Sequence, residues 1–365
     1  MLKFRKILFW AFYLLAIVIL VEGTSRFVLL KTSLMANRPI ECDSWFRIEL
    51  IKHLQNSIRR KTLLTGNFGH ACYHPLRGWS MFPNIHEAPL GSHEAIQTNS
   101  KGIRANVEYS YQKAPSKTRI LVLGDSFTFG AEVGNTETYP YCLQEMLPHA
   151  EVINLGVNGY GHDQMLLYLK EEGMKYHPDI VILGFLNDDR HRNLLNIRHF
   201  PKPRYELDQN KLTLTNVPVP TLSSLYKNEF FRPKFIDLIN ILYAEIQAKL
   251  KVSPSTDKIT AAILDEIITT INGIKAKPVF VFIPFPQEVQ QGAAYENGDP
   301  EKFFRDYCQT RHLNCLSTDG YFNKAVSRGS ILKTEGHWDS TGNQIIAAAI
   351  RDYLLKAITR HSSSP

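Results

Sequence analysis

Residues Ile120–Gly130 read I-L-V-L-G-D-S-F-T-F-G. Ile120–Leu123 is an unbroken apolar run of the kind that a strand buried on both faces requires. Gly124 and Asp125 end the run, which leaves Ser126 at the strand's carboxyl end. In open α/β sheets that edge is where ligands bind. A serine there can act as a nucleophile if a base stands near and backbone N–H groups can hold an oxyanion. The plain alternative is a strand followed by a Gly-Asp-Ser turn, so the remainder of the chain decides.

Three further stretches bear on it. Glu151–Gly161 reads E-V-I-N-L-G-V-N-G-Y-G, a second strand running into a glycine-rich loop. Asp179–Asp188 reads D-I-V-I-L-G-F-L-N-D, a third apolar strand ending in Asn187-Asp188. Near the C-terminus, Glu335–Gly342 reads E-G-H-W-D-S-T-G and precedes Ile345, Ile346 and Ala347–Ala349. That places His337 on a loop just before an amphipathic helix.

Taken in order, the four stretches resemble the motif blocks of the SGNH (GDSL-like) hydrolases. The resemblance covers roughly Lys117–Leu355, about two thirds of the chain. It implies a three-layer α/β/α sandwich with a central parallel sheet of flavodoxin-like topology. It also implies Ser126 as nucleophile and His337 as general base. The oxyanion donors it implies are the N–H of Ser126, a glycine N–H and the amide of Asn187. Gly159 fits the glycine position better than Gly156. Asp125 is expected to support the turn. The family usually carries its acid three residues before the histidine, and Thr334 stands there. Glu335 fits the acid-x-His arrangement of membrane-associated relatives that acetylate or deacetylate polysaccharides. Asp339 is a second candidate, and a Ser–His dyad a third arrangement.

The composition is consistent with this and excludes other classes. The 365 residues are 44% hydrophobic, enough for one large α/β domain and additional segments. The net charge is +7 and the pI near 9.0. Part of that excess is Lys3, Arg5 and Lys6, and no basic stripe, helix-turn-helix or zinc-finger spacing points to nucleic acid. No P-loop, dinucleotide fingerprint or metal-ligand cluster occurs, so neither cofactor nor metal is expected. His70, His74, His86 and His93 lack paired helical spacing and read as surface or locally hydrogen-bonded residues.

Ile7–Val21 is apolar on every face and ends at Glu22. It reads as a signal-anchor over residues 1–24, or as a cleaved signal peptide with a poor cleavage site. The preceding positive charges place the N-terminus in the cytoplasm and the bulk of the chain outside it, in a bacterium the periplasm beside the inner membrane. A disulfide is then allowed, with Cys308–Cys315 and Cys42–Cys72 as conceivable pairs and Cys142 as a buried hydrophobe.

Residues 25–116 form a lead-in region, expected to be rich in β structure by the same resemblance. The hydrolase-like domain is set at 117–360. Within it, Thr138-Tyr139-Pro140 opens a helix, with a second over Asp163–Lys175. Ile259, Ile263, Ile267, Ile271 and Ile274 step along another. Pro278–Ile283 is the fourth strand, a short fifth lies near Leu313–Leu316, and a closing helix runs from about Thr341 to Ala357. The alternation breaks over an insertion of about 189–256, where Phe235, Leu238, Ile239, Leu242 and Ile246 suggest an amphipathic helix: a lid on the site, or an ordinary core helix. Asp188–Arg192 faces either substrate or solvent.

The expected chemistry is ester hydrolysis or acyl transfer through an acyl-Ser126, on acyl or acetyl esters of cell-surface or secreted carbohydrate. A lipid esterase of lysophospholipase type and a non-catalytic scaffold are the competing readings. Oligomeric state is not written in the sequence.

Overall fold

Leu121, Val122, Leu123, Val181, Ile182 and Leu183 are fully buried, as strands must be when helices cover both faces of their sheet. In the structure, a computed structural model, the residues described are 2–32, 42–60, 70–86, 88–90, 94–209, 211–249, 256–290, 299–313, 315–333 and 335–362. The chain folds as two units: residues 1–64, 195–201 and 220–254 form one, and 65–194, 202–219 and 255–365 the other.

The larger unit holds the central sheet. Its strands are β1 (Thr118–Gly124), β2 (Ala150–Gly156), β3 (Ile180–Phe185), β4 (Lys277–Phe282) and β5 (Leu316–Ser317). They pair in the order β2-β1-β3-β4-β5, parallel throughout. Val122 sits opposite Asn154 on one side and Ile182 on the other. This is the flavodoxin-like order the sequence resemblance implied, with a switch point between β1 and β3.

Alternate residues of each strand feed opposite layers. Ile120, Val122, Ile182, Val279 and Val281 pack with Tyr139, Leu143, Phe322, Ile346, Ala347 and Ile350. Those partners come from helices Tyr139–Met146, Asp319–Ser327 and Ser340–Ser362. On the other face lie helices His162–Glu171 and Thr256–Gly273, the latter burying Ile259, Ile263, Ile267 and Ile271 as its periodicity predicted. Helix Tyr139–Met146 is capped by Thr138, whose hydroxyl accepts the N–H of Tyr141 at 3.3 Å. Short antiparallel pairs, Ala71–His74 with Gly78–Met81 and Ala88–Leu90 with Glu94–Ile96, precede the sheet.

The lead-in differs from expectation at Asp43–Arg60, which is a helix. Its Ile48, Ile51 and Leu54 recur at a spacing of three and bury one face, so helical periodicity prevails there. This helix belongs to the smaller unit, with the N-terminal helix Leu2–Lys31 and helices Leu222–Glu229 and Lys234–Lys249. Asp43 ties the segment 195–201 to it, accepting from the N–H of Asn196 at 2.6 Å and of Ile197 at 3.1 Å. Its core has two clusters, Leu29 with Ile48 and Ile241, and Ile51 and Leu54 with Ile197 and Leu225.

Helix Lys234–Lys249 therefore packs on the N-terminal helices, in the unit that does not carry Ser126. Its orientation also departs from the sequence reading. Lys234, Asp237 and Ile241 are buried, whereas Ile239, Leu242 and Ile246 are 58%, 43% and 54% exposed. Ion pairing decides this: Lys234 Nζ holds Glu229 at 2.6 Å, and Arg232 Nη2 holds Asp237 at 2.9 Å. Cys308 and Cys315 form a disulfide, while Cys42, Cys72 and Cys142 are free.

Candidate active site

Ser126 opens a four-residue helical turn, Ser126–Phe129, directly after β1. Asp125 caps it, its Oδ1 accepting the N–H of Phe127 at 2.9 Å. The turn lies flat against the end of β2 because that strand ends in glycine. A Cβ on Gly156 would fall 2.3 Å from the backbone nitrogen of Phe129.

The loop carrying His337 is fixed from three sides. Trp338 donates its indole N–H to Pro284 O at 2.9 Å and stacks on Phe322 at 4.2 Å. Asp339 sits before the closing helix and accepts the N–H of Gly342 at 2.9 Å, as a helix cap. Asn343 donates to Trp338 O at 3.1 Å and accepts the N–H of Tyr139 at 2.9 Å. The result is a His337 Nε2 that lies 2.8 Å from Ser126 Oγ.

On the other side of the imidazole, Nδ1 is 3.1 Å from Oε1 of Glu132. Neither Glu335 nor Asp339 occupies that place. Glu335 is exposed, and Asp339 caps the closing helix. Thr334 lies outside the described residues. Glu132 comes instead from the loop that follows the serine turn, and its φ is +72°. Arg104 clamps this loop. Its guanidinium donates to Gly130 O at 2.8 Å, Val133 O at 2.5 Å and Asn135 Oδ1 at 2.9 Å, and lies 4.6 Å over the Phe129 ring. Among the described residues no carboxylate pairs with Arg104, so backbone and amide oxygens carry its charge.

Burial pushes the Glu132 carboxyl up, but hydrogen bonds from Lys333 and His337 outweigh it and hold the group below the usual range. An ionised carboxylate only accepts, so Nδ1 bears the imidazole proton and Nε2 is left as an acceptor. The Ser126 hydroxyl can then donate to Nε2. Asp125 Oδ2 is a second acceptor, 3.2 Å from Ser126 Oγ, but it is also held by Arg192 Nη1 at 2.8 Å.

That arginine organises the floor of the site. It is buried and reaches Asp188 at 2.9 Å, Asp189 at 2.5 Å and the carbonyl of Tyr160 at 3.0 Å. Asp189 touches it without hydrogen-bond alignment. Burial raises the Asp189 carboxyl well above the usual range; Arg192 opposes this, and Asp125 and Asp188 add to it. Asp189 and Arg192 are thus interior supports, buried away from solvent.

The sequence left two glycines for the oxyanion position, and the backbone separates them. Gly156 already donates its N–H to Asn154 Oδ1 at 2.9 Å. Gly159 has φ +77°, a conformation that favours glycine, and among the described residues no protein acceptor takes its N–H or that of Ser126. Asn187 lies just past the end of β3. Its Oδ1 accepts from Arg190 Nη1 at 2.7 Å. Arginine cannot accept a hydrogen bond, so the amide orientation is fixed and the NH2 group is left to donate elsewhere. Arg190 is itself held over Phe303 at 4.2 Å and paired with Asp257.

Of the residues the sequence singled out, the structure brings Ser126 and His337 into contact; Glu132, Arg104 and Arg190 were not among those the sequence reading named. An acid in a Gly-x-Glu-x-Gly loop, six residues after the serine, was the one available sign of Glu132. His74, among the scattered histidines, accepts the N–H groups of Leu76 and Arg77 and approaches Glu171 at 3.3 Å. His93 lies outside the described residues.

No family model matches the chain, and no curated protein matches it. Solved structures resemble it. A two-domain esterase active on acetylated mannans aligns at 14% identity over 67% of this chain and 50% of its own, with a TM-score of 0.40. The alignment thus spans half of that protein. A member of the lipolytic protein G-D-S-L family from Veillonella parvula aligns at 11% identity, over 65% of this chain and 98% of its own, with a TM-score of 0.38. An acetyl xylan esterase aligns at 14% identity, over 65% and 99%, also with a TM-score of 0.38.

Proposed function

We propose that the chain is a serine esterase or acyl transferase of SGNH type. The observation that carries this is the hydrogen-bonded line Ser126–His337–Glu132, with distances of 2.8 and 3.1 Å. In this reading Ser126 Oγ attacks the ester carbonyl while its proton passes to His337 Nε2. Negative charge develops on the former carbonyl oxygen, where the N–H groups of Ser126 and Gly159 and the Asn187 amide donate to it. Collapse breaks the bond to the leaving alkoxide, which takes the proton from His337. An acyl-Ser126 remains. Water, or a hydroxyl of an acceptor, then attacks with His337 again as base and regenerates the serine. Glu132 stabilises the imidazolium in both steps.

The substrate we favour is an acyl or acetyl ester on carbohydrate. The side chains of Glu132 and His337 are 32% and 28% exposed, which suits a polymer laid across a shallow site better than an enclosed acyl chain. The N-terminal helix is long and apolar enough to cross a membrane. We read it as a single-pass anchor that leaves the catalytic unit outside the cytoplasm. The Cys308–Cys315 disulfide supports an oxidising compartment. The scaffold reading rested on the missing acid at position 334, and Glu132 removes that reason.

The test is labelling of the full chain by a fluorophosphonate probe, beside Ser126→Ala and His337→Ala. Labelling lost in both variants supports an activated serine. A folded wild type that does not label refutes it. Rates across p-nitrophenyl esters of rising chain length then separate the classes: preference for acetyl supports carbohydrate esters, and preference for long chains supports a lipid esterase.

A further inference from the structure

We propose that the turn at Phe230–Phe231 is a second membrane attachment, whose two rings enter the interfacial layer of the bilayer beside the N-terminal helix. It rests on the reading of that helix as a membrane span.

Phe230 and Phe231 are 75% and 83% exposed, among the most exposed large apolar side chains of the smaller unit. Their rings meet edge to face at 5.2 Å, so they present one apolar knob. Tyr226, one helical turn earlier, is 38% exposed, and Lys227 beside it is exposed. Aromatic rings and lysines in this combination are enriched at membrane–water boundaries.

Position along the N-terminal helix is the second observation. Arg26 Nη2 donates to Phe230 O at 3.1 Å and to Arg232 O at 3.2 Å. Glu22 accepts the N–H of Lys234 at 2.8 Å and of Phe235 at 3.2 Å, and pairs with Arg26 at 2.6 Å. The turn is thus bolted to residues 22–26, the first polar turn after the apolar run. Helix Lys234–Lys249 then climbs away, since its Ile241 meets Leu29.

Length fixes the level of the bilayer. The run Ile7–Val21 spans about 22 Å at ~1.5 Å per residue, short of a hydrocarbon core of about 30 Å. The outer boundary therefore falls at residues 22–26, or the bilayer thins to meet them. Either way the Phe230–Phe231 knob stands at the boundary. The same geometry accounts for a carboxylate there: Glu22 faces two backbone N–H groups at a helix start and the Arg26 guanidinium, so its charge is compensated.

The experiment uses the full chain in phospholipid vesicles, with Phe231→Trp compared with wild type by difference fluorescence. Val107→Trp is the solvent control, Val107 being 57% exposed on the larger unit. The difference between wild type and Trp10→Phe gives the emission of Trp10, which reports on the span itself. Under the proposal, the emission of the tryptophan introduced at position 231 shifts to the blue, is quenched by lipids brominated near the headgroup, and resists iodide. Emission quenched by iodide but untouched by brominated lipid, with Trp10 quenched by that lipid, overturns the proposal and leaves the anchor standing. Trp10 untouched by brominated lipid overturns the anchor and the proposal with it. Emission shielded from both quenchers assigns the knob to a protein contact such as a second copy, and also overturns it.

Discussion

Replacing Glu132 by glutamine keeps the shape of the side chain and removes its charge. At the 3.1 Å separation between Glu132 Oε1 and His337 Nδ1, a charge pair is worth ~1.3 kcal/mol in water and ~5 kcal/mol at an effective dielectric of about 20. With side chains 32% and 28% exposed, the pair lies between these limits, at about 3 kcal/mol. That interaction exists in full only when the imidazole is protonated, in the transition states of acylation and deacylation. The expected effect is a fall in kcat of about 100-fold with KM little changed. A glutamine that turns its NH2 toward Nδ1 would favour the wrong tautomer and deepen the loss. The assay is steady-state hydrolysis of p-nitrophenyl acetate by full-chain Glu132→Gln, with Glu335→Gln as comparator and thermal unfolding of both. Glu335→Gln should stay within about twofold of wild type, as an exposed residue that does not hold the imidazole should. A fully active Glu132→Gln beside a crippled Glu335→Gln would overturn this assignment and return the acid to the acid-x-His position.

Other consequences follow from the supports around the triad. Asn187→Ala should lower kcat by about 100- to 1000-fold, and Arg190→Met by about tenfold through loss of the amide's orientation. In the double variant the Arg190 effect should vanish, and two effects that simply multiply would show that Arg190 acts elsewhere. Arg104→Met leaves the carbonyls of Gly130 and Val133 without their donors, and should cost about 2–4 kcal/mol in denaturant unfolding while lowering kcat through a displaced Glu132. Unchanged kcat in a destabilised variant would separate the clamp from the acid. Burial pushes the Glu288 carboxyl up to about 7, with the Phe285 N–H opposing and Asp319 and Asp188 adding to it. The folded state therefore holds this proton more tightly than the unfolded chain, whose value is near 4.5. Stability from this group is complete below about pH 4.5 and is lost as pH rises through about 7, by at most about 3 kcal/mol. Glu288→Gln should gain on wild type in melting temperature across that window, and parallel pH curves would contradict it.

Local patterns in the chain were enough for the strands and for Ser126 and His337, which the fold brings into contact. Ile120–Leu123, Val181–Leu183 and Val279–Phe282 are continuous apolar runs because both sheet faces are covered, and that need is written locally. Ser126, Gly159 and Asn187 follow strand ends, so their placement comes with the strands, and His337 comes with the start of the closing helix. The acid that meets the imidazole was settled by folding in three dimensions. Glu335 is closer to His337 in sequence, but its side chain is exposed; Glu132 reaches Nδ1 because Arg104, far back in the lead-in, ties its loop to the serine turn. The same holds for Lys234–Lys249. Its apolar stripe suggested one buried face, yet Lys234 and Asp237 are buried in ion pairs while Ile239, Leu242 and Ile246 face outward and only Leu238 of the stripe packs on the core. Periodicity records which residues are apolar, whereas long-range ion pairs and loop clamps depend on which segments meet, and no local pattern encodes that meeting.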